Sequence, residues 1–262
     1  MFKHRHLHAR VAAAILVAFP CAVQAIKSRI VRDGDFDYRV VAISPAREPL
    51  ELRWKDADGK PIASIQQLRD GSAASGRRLL FASNAGIYEK SLRPLGLHIE
   101  AGKTLRNLNT VQGNEGRGNF SIQPNGVFWI DAHGQAGVDT TAGWSEHQRE
   151  AMVASQSGPM LLIDGSINPK FDIDSDSRKW RSGVCAPRPD RVEFVVSTVP
   201  VSFHEFARVF RDQLGCRDAL YLDGTLSRIW TAEDGYSGAP AFLVKPYVGI
   251  FAVFDEHTSP DR

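Results

Sequence analysis

Short apolar or alternating runs, several of them followed by a turn signal, are the feature that most constrains this chain. Phe36 to Ser44 alternates apolar with polar residues, Leu50 to Trp54 repeats the pattern before an Asp58-Gly59 turn, and Leu79 to Ser83 is wholly buried in type. Leu97 to Glu100 and Thr104 to Leu108 flank Ala101-Gly102 as one hairpin. Phe120 to Ile122 and Val127 to Ile130 flank Pro124-Asn125-Gly126 as a second. Ile65 to Leu68 has room for one helical turn or two. The clear helix runs from Ser202 to Leu214: Ser202 and Glu205 form a capping box, Phe203, Phe206, Phe210 and Leu214 recur on one face, and Gly215 supplies the stop. That aromatic stripe belongs to a core. Val192 to Thr198 precedes this helix and Ala219 to Leu222 follows it, which predicts a parallel strand pair with a right-handed crossover. Tyr247 to Phe254 is a closing strand. No repeat or linker interrupts the series. The expected fold is α+β, a single domain with a mixed β-sheet core, hairpins and a few packed helices.

The first 25 residues are of a different kind. Lys3, Arg5 and Arg10 form a basic head, Val11 to Phe19 a short apolar run, and Val23-Gln24-Ala25 a small-residue cleavage site. This is the layout of an export signal, with cleavage after Ala25 and a periplasmic or secreted product. The apolar run is too short to span a bilayer. Pro20 before Cys21 does not suit a lipidation site, and His4, His6 and His8 fall in the segment to be discarded. That segment carries three of the 32 Lys and Arg and none of the 30 Asp and Glu, so residues 26–262 hold 29 basic against 30 acidic side chains. A near-neutral chain offers no polybasic surface for nucleic acid or membrane, and no later run is long enough for a transmembrane anchor. Cleavage also leaves Cys185 and Cys216 as an even pair. In an oxidising compartment such a pair suggests a disulfide, with two buried thiols as the alternative.

Four segments place glycine beside Asn, Gln, Asp or Arg at the end of an apolar run. They are Asn84-Ala85-Gly86, Gln156-Ser157-Gly158-Pro159 leading to Asp164-Gly165, Arg181-Ser182-Gly183-Val184, and Tyr221-Leu222-Asp223-Gly224. Glycine there admits a close-lying ligand or a positive φ, amides and carboxylates suit sugar hydroxyls, and arginine suits phosphate. Taken singly, each Asp-Gly is an ordinary turn.

In this order, with Ile87-Tyr88 after the first segment, the four resemble the phosphodiester glycosidase family across roughly residues 78–254. The nearest likeness is to its bacterial, exopolysaccharide-related branch. The chain departs from the family pattern at Cys185, where a glycine is usual, and at Thr225, Leu226 and Ser227, which follow the last Asp-Gly. The resemblance implies hydrolysis of a sugar-1-phosphodiester through an oxocarbenium-like transition state, with a phosphomonoester leaving group that needs little protonation. A carboxylate must still activate water or stabilise the sugar cation. Asp223 is the first choice for it and Asp164 the second, with Arg181 on the phosphate. Asn84, Gln156 and Ser157 would orient hydroxyls, and Gly86, Gly158, Gly183, Gly224 and Thr225 would lie against the substrate. The partner is thus a sugar-phosphodiester or an envelope glycan, and the alternative function is a non-catalytic glycan-binding module. The strand ends carrying these residues are expected to gather at one sheet edge, with Arg181 facing a carboxylate.

No cofactor is expected. Asp172, Asp174 and Asp176 alternate like a calcium loop, but Ser177 stands where such a loop needs glycine and Gly183 where it needs glutamate. A solvated acidic loop fits better, although a divalent cation would bind there if anywhere. The histidines show no ligand spacing, and neither a phosphate-binding loop nor a nucleophile elbow is present.

Overall fold

The computed structural model describes residues 25–111, 118–147, 149–224, 227–243 and 245–256. The export signal up to residue 24 and Thr225 lie outside the described residues. In chain order the elements are β1 (Ser28–Asp33), β2 (Phe36–Ile43), β3 (Leu50–Arg53), α1 (Ile65–Ala74), β4 (Arg77–Asn84), β5 (His98–Glu100), β6 (Lys103–Arg106), β7 (Gly126–Ile130), β8 (Ala136–Thr140) and α2 (Thr141–His147). There follow β9 (Val153–Ser157), β10 (Met160–Ile163), β11 (Ser166–Ile167), β12 (Ser182–Arg188), β13 (Arg191–Ser197), α3 (Phe203–Arg208), β14 (Ala219–Tyr221), β15 (Arg228–Thr231), β16 (Gly235–Gly238) and β17 (Ile250–Glu256).

Among the described residues three sheets form, ordered β1-β2-β13-β12-β14-β10-β11, β16-β15-β4-β17-β3 and β6-β5-β9-β7-β8. Phe194 of the first, Phe81 and Phe251 of the second and Phe128 of the third meet with ring centroids 5.0–6.0 Å apart, so one core serves all three. Strand alternation decides what enters it. Val41, Phe194, Val184, Leu220 and Leu222 point into the shared core, while the intervening Val40, Val195, Cys185 and Tyr221 point to the opposite face, against α3. Helix α1 covers the outer face of the second sheet with Ile65 and Leu68. The fold is α+β.

Three local expectations need correction. The parallel pair does not form: β12 lies between β13 and β14 and pairs antiparallel with both. β7 pairs with β8 rather than with the Phe120 segment, which is a single turn of 3₁₀ helix at Gly118–Ser121. The Asn125 side chain donates to Phe120 O at 2.9 Å and closes that connection, while the hairpin turn is made downstream, where Asp131 Oδ1 accepts from the His133 and Gln135 amides. Helix α1 runs ten residues from its Ser64 cap, because its second half lies on the surface and needs no apolar stripe. The helix after Ser202 has the capping box, continues past α3 as a π-turn over Val209–Gln213, and stops at Gly215 with φ 65°.

Candidate active site

Antiparallel register carries the motif segments to one sheet edge. Gly183 of β12 pairs with Tyr221 of β14, so Arg181 and Ser182 at the start of one strand adjoin Leu222 and Asp223 past the end of the other. On the opposite side the Tyr221 amide donates to Pro159 O at 3.1 Å, which brings in the Ser157-Gly158-Pro159 segment. Asn84, at the end of β4, reaches in from the second sheet.

Asp223 is the point where these segments meet. Its main-chain carbonyl accepts from Asn84 Nδ2 at 3.3 Å, Ser182 Oγ at 3.4 Å and Ser227 Oγ at 3.1 Å. The same Asn84 accepts the Arg228 amide at 3.3 Å, so a single buried side chain fixes the chain on both sides of the Asp223 loop. Asp223 itself is 9% exposed. Gly224 is required here for space: a Cβ at that position would overlap the Tyr221 hydroxyl.

Arg181 is 1% exposed. Its Nε donates to Val201 O at 2.8 Å, its Nη2 donates to Ser177 O at 3.1 Å, and its guanidinium carbon sits 3.6 Å above the Phe203 ring of α3. These acceptors are carbonyls, in place of the facing carboxylate expected, and they occupy the Nε–Nη2 edge of the guanidinium. Nη1 is buried with no hydrogen-bond partner among the described residues. Burial lowers the Arg181 pKa, and the adjoining Tyr221 and Glu205 oppose that shift. Burial raises the Tyr221 pKa above the usual tyrosine range, Arg181 opposing and Asp223 adding to it. The phenol therefore stays protonated, sandwiched between Arg181 and Gly224, with Asn119 Nδ2 donating to its oxygen at 3.5 Å.

Asp164 is not in this group. With Gly165 it forms the two-residue turn of the β10–β11 hairpin, both residues at positive φ, 52° and 80°. Its side chain is 70% exposed and pairs with Arg217. Arg217 precedes β14 and Asp223 follows it, and six positions of extended chain are on the order of 20 Å. The second choice for the catalytic carboxylate is thus at the wrong end of the strand.

Other expected ligands turn out to hold the scaffold. Gln156 is 2% exposed and fully engaged: Oε1 accepts from the Leu97 and Asn109 amides at 3.0 and 2.8 Å, and Nε2 donates to Asn109 O and Thr141 Oγ1 at 2.8 and 3.1 Å. Gly86 lets the chain lie against the Gln156 carbonyl, and Gly183 admits the Phe210 ring of the π-turn. Gly158 clears the Asn125 side chain. Ser157 Oγ and Asn125 Oδ1 are buried without a hydrogen-bond partner among the described residues. Sequence reasoning missed Ser182, Tyr221, Ser227 and Asn125. The first two stand inside the motif segments, and Asn125 carries only a turn signal in the sequence.

Cys185 and Cys216 are bonded, with Cα atoms 6.2 Å apart, and tie β12 to the segment entering β14. Closing that 31-residue loop contributes ~3–4 kcal/mol in the chain-entropy model. Asp172, Asp174 and Asp176 lie exposed in the loop before Arg181, and among the described residues no group of three or more His, Cys, Asp or Glu could hold a metal.

Residues 77–244 match the family model described as phosphodiester glycosidase. An uncharacterised Escherichia coli K12 protein, YigE, is 30% identical over 238 residues, 91% of this chain and 90% of that one. Among solved structures, the zebrafish N-acetylglucosamine-1-phosphodiester alpha-N-acetylglucosaminidase catalytic domain, auto-inhibited by its pro-peptide, superposes with a TM-score of 0.63 at 15% identity. The match covers 89% of this chain and 84% of that domain. A hypothetical protein from Synechocystis superposes with a TM-score of 0.54 at 15% identity, over 87% of this chain and 61% of its own. These two likenesses concern the fold.

Proposed function

Because the chain belongs to the phosphodiester glycosidase family, we propose that it is an exported hydrolase acting on a sugar-1-phosphodiester of the cell envelope or of exopolysaccharide. The observation that carries this reading is the triple anchoring of the Asp223 carbonyl by Asn84, Ser182 and Ser227. A carboxylate that must act on a water or a sugar cation needs its backbone held in place, and here residues from separate motif segments hold it. Asp223 takes a proton from water as the water oxygen bonds to the anomeric carbon. The bond from that carbon to the phosphate oxygen breaks, and its electron pair leaves on the phosphomonoester. Products are the free sugar and the phosphomonoester. Arg181 acts as a positioning residue: it fixes Tyr221, and Tyr221 fixes Gly224 and the Asp223 loop.

The test uses protein from Ile26 onward and both anomers of methylphospho-N-acetylglucosamine, with other sugar-1-phosphodiesters as a panel. Free sugar and methyl phosphate should appear together by NMR, and Asp223→Asn should lose the activity while keeping its fold. Saturable glycan binding without turnover anywhere in the panel would replace the hydrolase by a binding module. Export has a separate check, since the mass of the protein recovered outside the cytoplasm should start at Ile26.

A further inference from the structure

A cleft of about 330 Å³ opens on the outer face of the second sheet, between the N-terminus of α1 and the segment from Ala241 to Tyr247. Arg228, Lys245, Tyr236, Tyr247, Ser64 and Ile65 line it, and among the described residues none that lines it is acidic. Its charged side chains, Arg228 and Lys245, are both cations, and the acceptors Ser64 Oγ and Ala63 O are already taken by the Gln67 and Tyr247 amides. The Arg228 guanidinium stacks over the Tyr236 ring, 4.0 Å from its centroid, and its Nε is buried with no partner among the described residues. Tyr247 is 3% exposed, and its hydroxyl is likewise buried without a partner among the described residues. A buried hydroxyl in that state costs stability unless something accepts from it. Helix α1 adds the Ile65 and Gln66 amides, which no intrahelical carbonyl can reach, the Gln67 amide being capped by Ser64 Oγ at 3.0 Å, and its first turn holds no acidic residue to offset the positive end of the helix.

We propose that this cleft binds a phosphoryl-type oxyanion. The oxygens would accept from Arg228, from the Tyr247 hydroxyl and from the first-turn amides of α1, with Lys245 at the rim. At about 330 Å³ the cleft is at the low end of small-molecule sites, with room for a phosphate and a small substituent. It is distinct from the Asp223 edge yet tied to it, because the Arg228 amide and the Asp223 carbonyl share the Asn84 side chain. The proposal does not rest on the hydrolase reading, and binding is measured without turnover.

The experiment titrates the folded protein with inorganic phosphate and, separately, with glycerol 3-phosphate, following the Ile65 and Gln66 amides by NMR against chloride at matched ionic strength. Both amides should shift saturably. Arg228→Gln should weaken binding about tenfold, the loss of a charge-assisted hydrogen-bonding group. Tyr247→Phe should weaken it several-fold without lowering the melting temperature of the phosphate-free protein, because the hydroxyl it removes had no partner. Tighter binding of glycerol 3-phosphate assigns the cleft to an esterified phosphate, and equal affinities assign it to the free ion. The proposal is overturned if the amides do not move, if chloride moves them equally, if Tyr247→Phe binds as wild type, or if Asp223→Asn abolishes the binding.

Discussion

Asp164-Gly165 and Asp223-Gly224 are the same dipeptide after the same kind of apolar strand, and β10 and β14, the strands that carry them, are paired neighbours. They have opposite fates. At Asp164 both residues take positive φ, the carboxylate is exposed, and its partner is the surface residue Arg217. At Asp223 the glycine is not left-handed but is pressed against Tyr221, and the carbonyl is gripped by Asn84 and Ser182 from distant segments and by Ser227 four residues on. One glycine is needed for its backbone freedom and the other for its missing side chain. The comparison shows that a turn is defined by its own few residues, whereas a site is defined by what the rest of the fold brings to it.

The sharpest way to break the comparison is to neutralise each carboxylate. Asp223→Asn should lower kcat roughly a thousandfold, the scale of losing a positioned proton acceptor, with the melting temperature little changed. Asp164→Asn should leave kcat and KM as they were, and its effect on stability should be that of an exposed ion pair, below ~1 kcal/mol. Equal losses in the two variants would return Asp164 to the mechanism.

The glycines give the next largest contrast. In Gly224→Ala the new methyl meets the Tyr221 hydroxyl, so the Asp223 loop must shift, and a displacement of about 1 Å costs on the order of a hundredfold in rate. Gly165→Ala meets nothing within 4 Å and suffers only the left-handed backbone, ~1 kcal/mol of stability at wild-type activity. Both effects are read from denaturation midpoints alongside initial rates.

Local signals carried the strands β2, β3, β4 and β13 and the capped helix after Ser202, because alternation and capping act within a few residues. The identity of strand partners was not legible. β12 inserts between β13 and β14, where Val184 and Leu220 pack into the shared core and the Cys185–Cys216 bond ties the neighbours together. The same divide runs through the site. Asn84 and Asp223 stood out as polar residues beside glycine at strand ends. The role of Gln156 depends on the Leu97, Asn109 and Thr141 segments, and no spacing in the sequence announces that they converge on it. Tyr221 was hidden by its apolar ring, which reads as core and is core, while its hydroxyl supports the Asp223 loop.

The smallest expected effect is at the turn end and concerns pH. Asp218 accepts the Asp164 amide at 3.0 Å, and burial raises its pKa above the ordinary aspartate value. That amide and Arg217 pull the other way. A carboxyl whose folded pKa is raised binds its proton more tightly in the native state than in the unfolded chain. It therefore favours folding most below its unfolded pKa, and that contribution is lost as pH rises through the folded pKa. Asp218→Asn retains an oxygen to accept the Asp164 amide and removes the titration. The variant should gain stability relative to wild type as pH rises through the interval just above the ordinary aspartate range, and the two should converge below it. Denaturant midpoints across that interval test the sign. A wild-type protein that gains stability over the variant with rising pH would mean that Arg217, rather than burial, governs Asp218.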